Sequence, residues 1–437
     1  MFWLVIALLC VQPATRGTPE VRAVPYPVPA PTPVAATQTA TDPPPDVPTE
    51  TAEVLTASLE SQLPPTSPSS TITVGAPGDG LRWLSADGRF SLRLGLRGQV
   101  RYDVVAAPDA SPSQSLSLRR ARVKFSGHTF GQHNTYKLEL GVSPRDMGMA
   151  PGGPRFTPVL DWALEFSKLR DLQFRVGQYK LPYSRARMQS SGDLQFVDRS
   201  IADGEFNLNR DVGFDLHSDD LFGLDHLGYY AGMFLGEGRD AYQPTNFEVV
   251  YLARLEVFPF GTYEADDTES DHSRERVPRM SLGFAYAFVD GAQFERGTIG
   301  ARPEDGGTTD VHNGTVDASF KFGGATVFAE GYVREGRRRG GPSIPAAGLS
   351  PARNGYGWNA QAGYLWGPKP FELVGRFAET RPTADSPLPR QRQPSVVLGY
   401  YFFGHAVKLQ LDYSPTWSES LTDVPSHVIR LQFQGAL

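Results

Sequence analysis

From Phe90 to the final Leu437 the chain alternates, every second residue, between apolar and polar or charged side chains. Phe90, Leu92, Leu94, Leu96, Val100 and Tyr102 alternate with Ser91, Arg93, Arg97, Gln99, Arg101 and Asp103. Only an extended backbone sorts such a pattern onto two faces, so it predicts a β-strand. The alternation returns in TYKLELGV, VLDWALEF, DVGFDLHS, RMSLGFAYAF, TVDASFKF, WNAQAGYLW, AVKLQLDY and HVIRLQFQGAL. All segments of this kind together give about sixteen strands, an even number of the size that closes a transmembrane barrel. Connections alternate as well. Long ones, including SPRDMGMAPGGPRFTP, the stretch from Gln178 to Arg210 and REGRRRGGPSIPAAGLSPARN, follow odd strands, whereas SKLRD, FGG, GPKP and FGH follow even ones. Outer-membrane barrels combine short periplasmic turns with long external loops, which puts both ends of the barrel in the periplasm.

A soluble β-sandwich or propeller also alternates. Here, however, the polar face is heavily charged and the apolar face carries Trp162, Trp358, Trp366, Tyr136, Tyr364 and Tyr413, mostly toward strand ends. That distribution suits interfacial girdles. No repeat of about 40 to 50 residues marks propeller blades. Mean hydropathy is -0.32, and no uncharged apolar run approaches the roughly 18 residues of a membrane helix. Barrel strands escape that criterion because only alternate residues meet lipid. The net charge of -6, from 42 Lys+Arg against 48 Asp+Glu, argues against a nucleic acid partner. The single Cys, Cys10, excludes a disulfide framework and a Cys-ligated metal site from the body of the chain.

Three regions follow. Residues 1–11 (MFWLVIALLC and one more) resemble the apolar core of an export signal, and Leu9 is bulky for a lipidation site at Cys10. Residues 12–80 are rich in Pro, Thr, Ala and Ser and read as a disordered tether. Residues 81–437 form the barrel. One turn, GTYEADDTESDHSRERVP after Phe260, is too long for its periplasmic place. It lacks the ligand spacing of a calcium loop, so a solvated charged turn is expected.

Three segments, LRRARVKFSGHTFGQHNTYKLEL, FRVGQYKLPYSRARMQSSGDLQFVDRSI and VVLGYYFFGHAVKLQLDYS, resemble the phosphate-selective porin O and P family of outer-membrane channels. The match is most specific at Gly177-Gln178-Tyr179-Lys180-Leu181-Pro182-Tyr183, followed by Ser190, Ser191, Phe196 and Arg199. The resemblance implies a homotrimer of sixteen-stranded barrels, each narrowed by its third external loop folded inward. Ala186 stands where the family often has Glu, and the chain ends in Leu437 rather than Phe.

On the second strand Arg120, Arg122 and Lys124 share the face opposite Ala121, Val123 and Phe125, and Arg93, Arg97 and Arg101 do the same on the first. Two neighbouring strands thus offer a basic ladder to the lumen. The inward loop adds Lys180, Arg185, Arg187, Arg199 and Arg210. Arginine forks bind oxyanions in narrow, partly dewatered passages. Passive diffusion of small anions, phosphate or polyphosphate among them, is the expected function. Glu139, Asp161, Glu165, Asp211 and Asp215 also face the lumen and keep a general or sugar-type porin open. A non-conducting barrel that tethers the outer membrane to the cell wall is the third reading. The run Arg337-Arg338-Arg339 is expected in an external loop, as a solvated patch or lipopolysaccharide contact. There is no His-Glu-x-x-His, Gly-x-Ser-x-Gly or P-loop, and only His217 beside Asp215 and Ser218 suggests a catalytic cluster. Neither cofactor nor metal is expected.

Overall fold

The protein is described by a computed structural model for residues 69–437, apart from 109, 151–152, 155, 240–248, 262–267, 341–347, 368–369, 384 and 420–421. Sixteen antiparallel strands close on themselves. They are β1 (Ser91–Ala106), β2 (Ser113–His128), β3 (Asn134–Gly141), β4 (Val159–Phe166), β5 (Gln173–Lys180), β6 (Arg210–Ser218), β7 (Leu227–Phe234) and β8 (Val250–Val257). The second half comprises β9 (Arg279–Ala292), β10 (Thr308–Phe322), β11 (Ala325–Arg339), β12 (Gly355–Leu365), β13 (Phe371–Pro382), β14 (Gln391–Phe403), β15 (Val407–Tyr413) and β16 (Thr422–Ala436). Each strand pairs with the next, and β16 returns to β1 with Gln432 opposite Arg101. Closure gives every strand two neighbours, which lipid demands because it offers the backbone no hydrogen bonds.

The alternation sorts side chains as the period requires. On β8, Leu252, Arg254 and Glu256 are buried inside while Tyr251 and Leu255 are exposed outside. Trp162, Trp358, Trp366, Tyr364 and Tyr413 are exposed on the outer face. Tyr136 differs, since its hydroxyl donates to the Ser91 carbonyl at 2.9 Å. One break in the period has a structural counterpart. Gln99 pairs with Arg120 but Val100 with Leu118, so Arg119 is an extra residue in β2. This β-bulge switches the outward parity from Leu116 and Leu118 to Ala121 and Val123.

Several sequence expectations are corrected. The signal-like residues 1–11 and most of the 12–80 tether lie outside the described residues, yet the tether's last part is sheet. Thr71–Val74 pairs with Leu81–Leu84, and the latter strand pairs with β1 from Ser91 to Leu94. The hairpin covers the stretch of β1 that β16 is too short to reach, and Gly78 N–H donates to the Ala436 carbonyl at 3.1 Å. Gly80 makes this approach possible: its φ is 70°, and a Cβ there would sit 2.1 Å from the Leu94 oxygen. The Arg337–Arg339 run ends strand β11 rather than forming a loop, with Arg339 paired to Asp290 at 2.9 Å and Asp310 at 2.5 Å. Lys180 and Arg210 are not in the third loop but face each other across β5 and β6 at its two ends. Finally, part of the acidic turn is not solvated. Residues 262–267 lie outside the described residues, but Ser270 and Asp271 are buried inside the barrel.

Two outcomes follow. A Lys or Arg on the lipid face of a barrel costs roughly 2–4 kcal/mol at mid-membrane and less toward the interfaces, while the lumen tolerates charge, so Leu94→Arg should reduce the heat-modifiable folded band more than Arg93→Leu. Removing residues 12–68 should leave that band intact, whereas removing 12–84 should weaken it by leaving the lower part of β1 unpaired.

Candidate pore constriction

Residues 181–209 connect β5 to β6 and turn into the lumen. Pro182 cannot donate a ladder hydrogen bond and so ends β5. Ser184 then caps a single turn, Arg185–Met188, accepting from Arg187 N–H, and Ser200 caps Ile201–Phe206, accepting from Asp203 N–H. Between the two turns, Leu194, Phe196 and Val197 are buried. Phe196 packs with Val374 and Val397 of the far wall, and Phe206 stacks on Tyr332 at 5.9 Å. Apolar burial and capping together make this external loop a fixed internal element.

Charge anchors it. Asp198 is held by Arg101, by Arg120 at 3.0 Å, by Arg119 at 3.2 Å and, more distantly, by Arg430 at 3.8 Å. Burial alone would push this carboxyl up, but Arg120, Arg119, Arg101 and Arg430 outweigh it and hold it well below the usual carboxylate range. At the other end, Glu330 of β11 accepts from the Arg185 and Ala186 N–H groups at 2.9 and 3.2 Å. Lys408 donates to the Leu194 carbonyl at 2.7 Å and Gln410 to the Gln195 carbonyl at 2.6 Å.

The predicted basic residues fall into distinct groups. Arg101 and Arg120 serve Asp198, and Arg122 is shared by Glu139 at 2.7 Å and Asp146 at 2.8 Å. Arg185 pairs with Asp317 at 2.6 Å and Glu256 at 2.9 Å, Arg187 with Asp203 at 2.8 Å, and Arg210 with Asp161 at 2.5 Å. Arg199 donates to the Ala186 and Gln189 carbonyls, and burial, reinforced by Arg187, pushes its guanidinium down to about 10. Lys180 donates to the Met188 and Gln189 carbonyls. Arg93 is bound to Gly78 and Asp79 of the N-terminal hairpin. Arg97 donates to the Ser190 and Ser191 hydroxyls at 3.1 and 3.0 Å and has no ion pair among the described residues. Lys124 is exposed in the lumen, likewise without one.

A cavity of about 1330 Å³ opens on the periplasmic side of the loop and is bounded by Lys180, Arg185, Met188 and Ser190–Asp193. Arg93, Arg97, Arg122 and Lys124 all line it. Sequence reasoning missed Arg119, although the parity break around Leu118 signals its bulge, and Lys137 and Arg175, which alternate inward on β3 and β5. Lys137 binds Asp161 at 2.6 Å. Arg175 binds Asp215 at 2.8 Å and lies 4.4 Å from the Tyr179 ring. His217 bonds Asp215 through Nδ1 at 2.8 Å, and its Nε2 faces Glu165 at 3.9 Å. With neither ring nitrogen on Ser218, the cluster is no nucleophile–base pair. Among the described residues no group of metal-ligating side chains is present.

A closed barrel, an inward third loop and a basic lumen wall are now in place. Residues 92–264 match the phosphate-selective porin O and P family. The matched part contains β1 to β8 and the whole constriction loop. The fold is also that of solved outer-membrane proteins. A loop-deletion mutant of OmpT from Vibrio cholerae aligns with a TM-score of 0.52 at 11% identity, covering 80% of this chain and 100% of that one. OmpF of Salmonella typhi gives 0.52 at 11% identity, with coverages of 80% and 98%. The outer membrane channel DcaP of Acinetobacter baumannii gives 0.50 at 10% identity, with coverages of 80% and 97%. No curated protein matches the sequence. The family match over residues 92–264 and the barrel architecture support a multi-pass β-barrel of the bacterial outer membrane, and point to a channel rather than an enzyme.

Asp198→Asn leaves Arg101, Arg119 and Arg120 without their shared carboxylate. The reversal potential in a salt gradient should shift toward anions, and the loop should become more accessible to protease. The depressed pKa of Asp198 also sets a pH window. The anchor is complete above the ordinary carboxylate value near 4 and is lost only as pH falls through the lower folded value, so ion preference should hold through pH 4.

Proposed function

We propose that the barrel passes small anions by diffusion, with phosphate or polyphosphate as physiological solutes, and that it works as a homotrimer among outer-membrane lipid and lipopolysaccharide. The observation that carries the ion preference is the difference between paired and unpaired charge. Glu139, Asp161, Asp198 and Asp215 each lie against an arginine. Arg97 and Lys124, beside the loop on the cavity wall, have no carboxylate partner among the described residues. A passing ion therefore meets unpaired positive charge beside the loop, and a dielectric below that of bulk water enlarges the effect. Asp193 of the loop opposes this, and Glu165 and Asp219 do so nearer the mouth. The trimer and the phosphate reading rest on the family resemblance.

Arg122 is already compensated by Glu139 and Asp146, which makes Arg97 and Lys124 the decisive pair. Arg97→Gln together with Lys124→Gln should move the reversal potential toward cations and weaken block by added phosphate, with heat-modifiability unchanged. Wild-type selectivity in that double mutant would favour a general porin, a reading supported by the many internally paired lumen charges.

A further inference from the structure

The open cavity is one-sided. All its lining residues come from β1 to β8, the loop, the hairpin, and the chain from His405 to the C-terminus, and strands β9 to β14 contribute none. Those strands are covered by the third loop and by a second inward segment, Thr268–Arg274, which rises from the periplasmic turn between β8 and β9.

This second segment is fitted to its place. Ser270 donates to Glu372 at 2.7 Å and shares a 3.0 Å hydrogen bond with Tyr401. Lys321 donates to the Thr268 carbonyl at 2.5 Å, and Asp271 accepts from Gly324 N–H at 2.6 Å. The His272 ring stands edge-on to Tyr401 and His405 at 4.7 and 4.9 Å. Arg274 leaves in the left-handed region, at φ 50°, and donates to the Leu365 carbonyl. The short turns make room for it: a Cβ on Gly324 would lie 2.5 Å from the Arg274 guanidinium, and one on Gly367 3.1 Å away. Most telling, the segment meets the constriction loop. Glu269 N–H donates to the Asp193 carbonyl at 3.0 Å, and the Glu269 carboxylate accepts from Gln195 N–H at 2.7 Å and from Gln361 at 3.3 Å.

We infer that Thr268–Arg274 is a built-in periplasmic plug: it fills the β9–β14 side of the lumen, supports the third loop from below, and confines permeation to the β1–β8 side. Glu269 is the positioning residue, because its carboxylate and backbone N–H bind the loop on both sides of Leu194. A passive solvated turn would satisfy its carboxylates with water, whereas here Ser270 and Asp271 are almost wholly buried against wall residues. The inference rests on the channel reading but not on the sign of its ion preference.

The test is single-channel conductance in a planar bilayer, read separately from reversal potential. Deleting Thr268–Arg274 leaves 258–267 and 275–278 to join the strands and should raise conductance severalfold. Glu269→Ala should give a smaller rise with noisier current, and Glu269→Gln, which keeps an acceptor for Gln195 N–H, should restore steadiness. A folded deletion variant with wild-type conductance overturns the plug. If the deletion variant does not fold, thiol labelling of the full chain decides. Ser270→Cys should react with a bulky maleimide far more slowly than Glu275→Cys, and equal rates would place the segment in bulk solvent.

Discussion

A single carboxylate, Asp198, surrounded by Arg101, Arg119, Arg120 and Arg430, fixes the architecture of the pore. Arginines on neighbouring strands repel one another across a lumen where solvent screens poorly, and a carboxylate from the third loop relieves that repulsion at their common focus. Removing one partner of a buried ion pair costs roughly 3–5 kcal/mol, so the loop is drawn inward by the wall's need for countercharge as well as by its own apolar residues. The loop's position in turn defines the roof of the cavity, its contact with the plug and the exposure of Arg97.

Two consequences for ion passage follow from this dependence. Charges that hold the protein together are poor selectivity elements, because their field is largely cancelled by a fixed neighbour. Arg122 and Arg185 each have two carboxylates in reach, and Arg210 shares Asp161 with Lys137. Arg97 is different, since serine hydroxyls orient its guanidinium without neutralising it. Counting basic residues on the lumen face therefore overstates the field that a permeating ion meets. What matters is the residual charge after pairing.

That distinction marks the limit of what the sequence discloses. Period-two alternation is a local consequence of the extended backbone, and Leu92 to Tyr102 show strand, register and membrane face without tertiary information. The parity break between Leu118 and Ala121 is legible too, because a strand cannot exchange faces without a bulge. The inward loop was available only through its resemblance to a family. The pairing within it was not, since Asp198 lies far along the chain from Arg101 and Arg120 and nothing local specifies which carboxylate joins which arginine. The acidic turn misled for the same reason. Glu269, Ser270 and Asp271 read as solvated because polar residues usually are, yet each finds a partner on another strand or on the loop. The hairpin at Thr71–Val74 was hidden by the proline-rich composition before it.

The hairpin and the plug answer related geometric problems. A barrel whose last strand stops at Ala436, opposite Arg97, leaves the lower part of β1 without a partner, and lipid does not tolerate an open edge. The strand Leu81–Leu84 supplies that partner, turning Leu81 and Trp83 outward beside Leu94 and Leu92 and Arg82 inward beside Arg93. A wide sixteen-stranded lumen likewise leaves many wall carboxylates and carbonyls facing nothing, and an inward turn supplies donors and acceptors for Glu372, Tyr401 and Gly324. In both places a segment outside the sixteen strands completes hydrogen bonding that the cylinder alone cannot. The barrel's radius is set by strand number and tilt, whereas the width open to a solute is set by how much of the interior those added segments occupy.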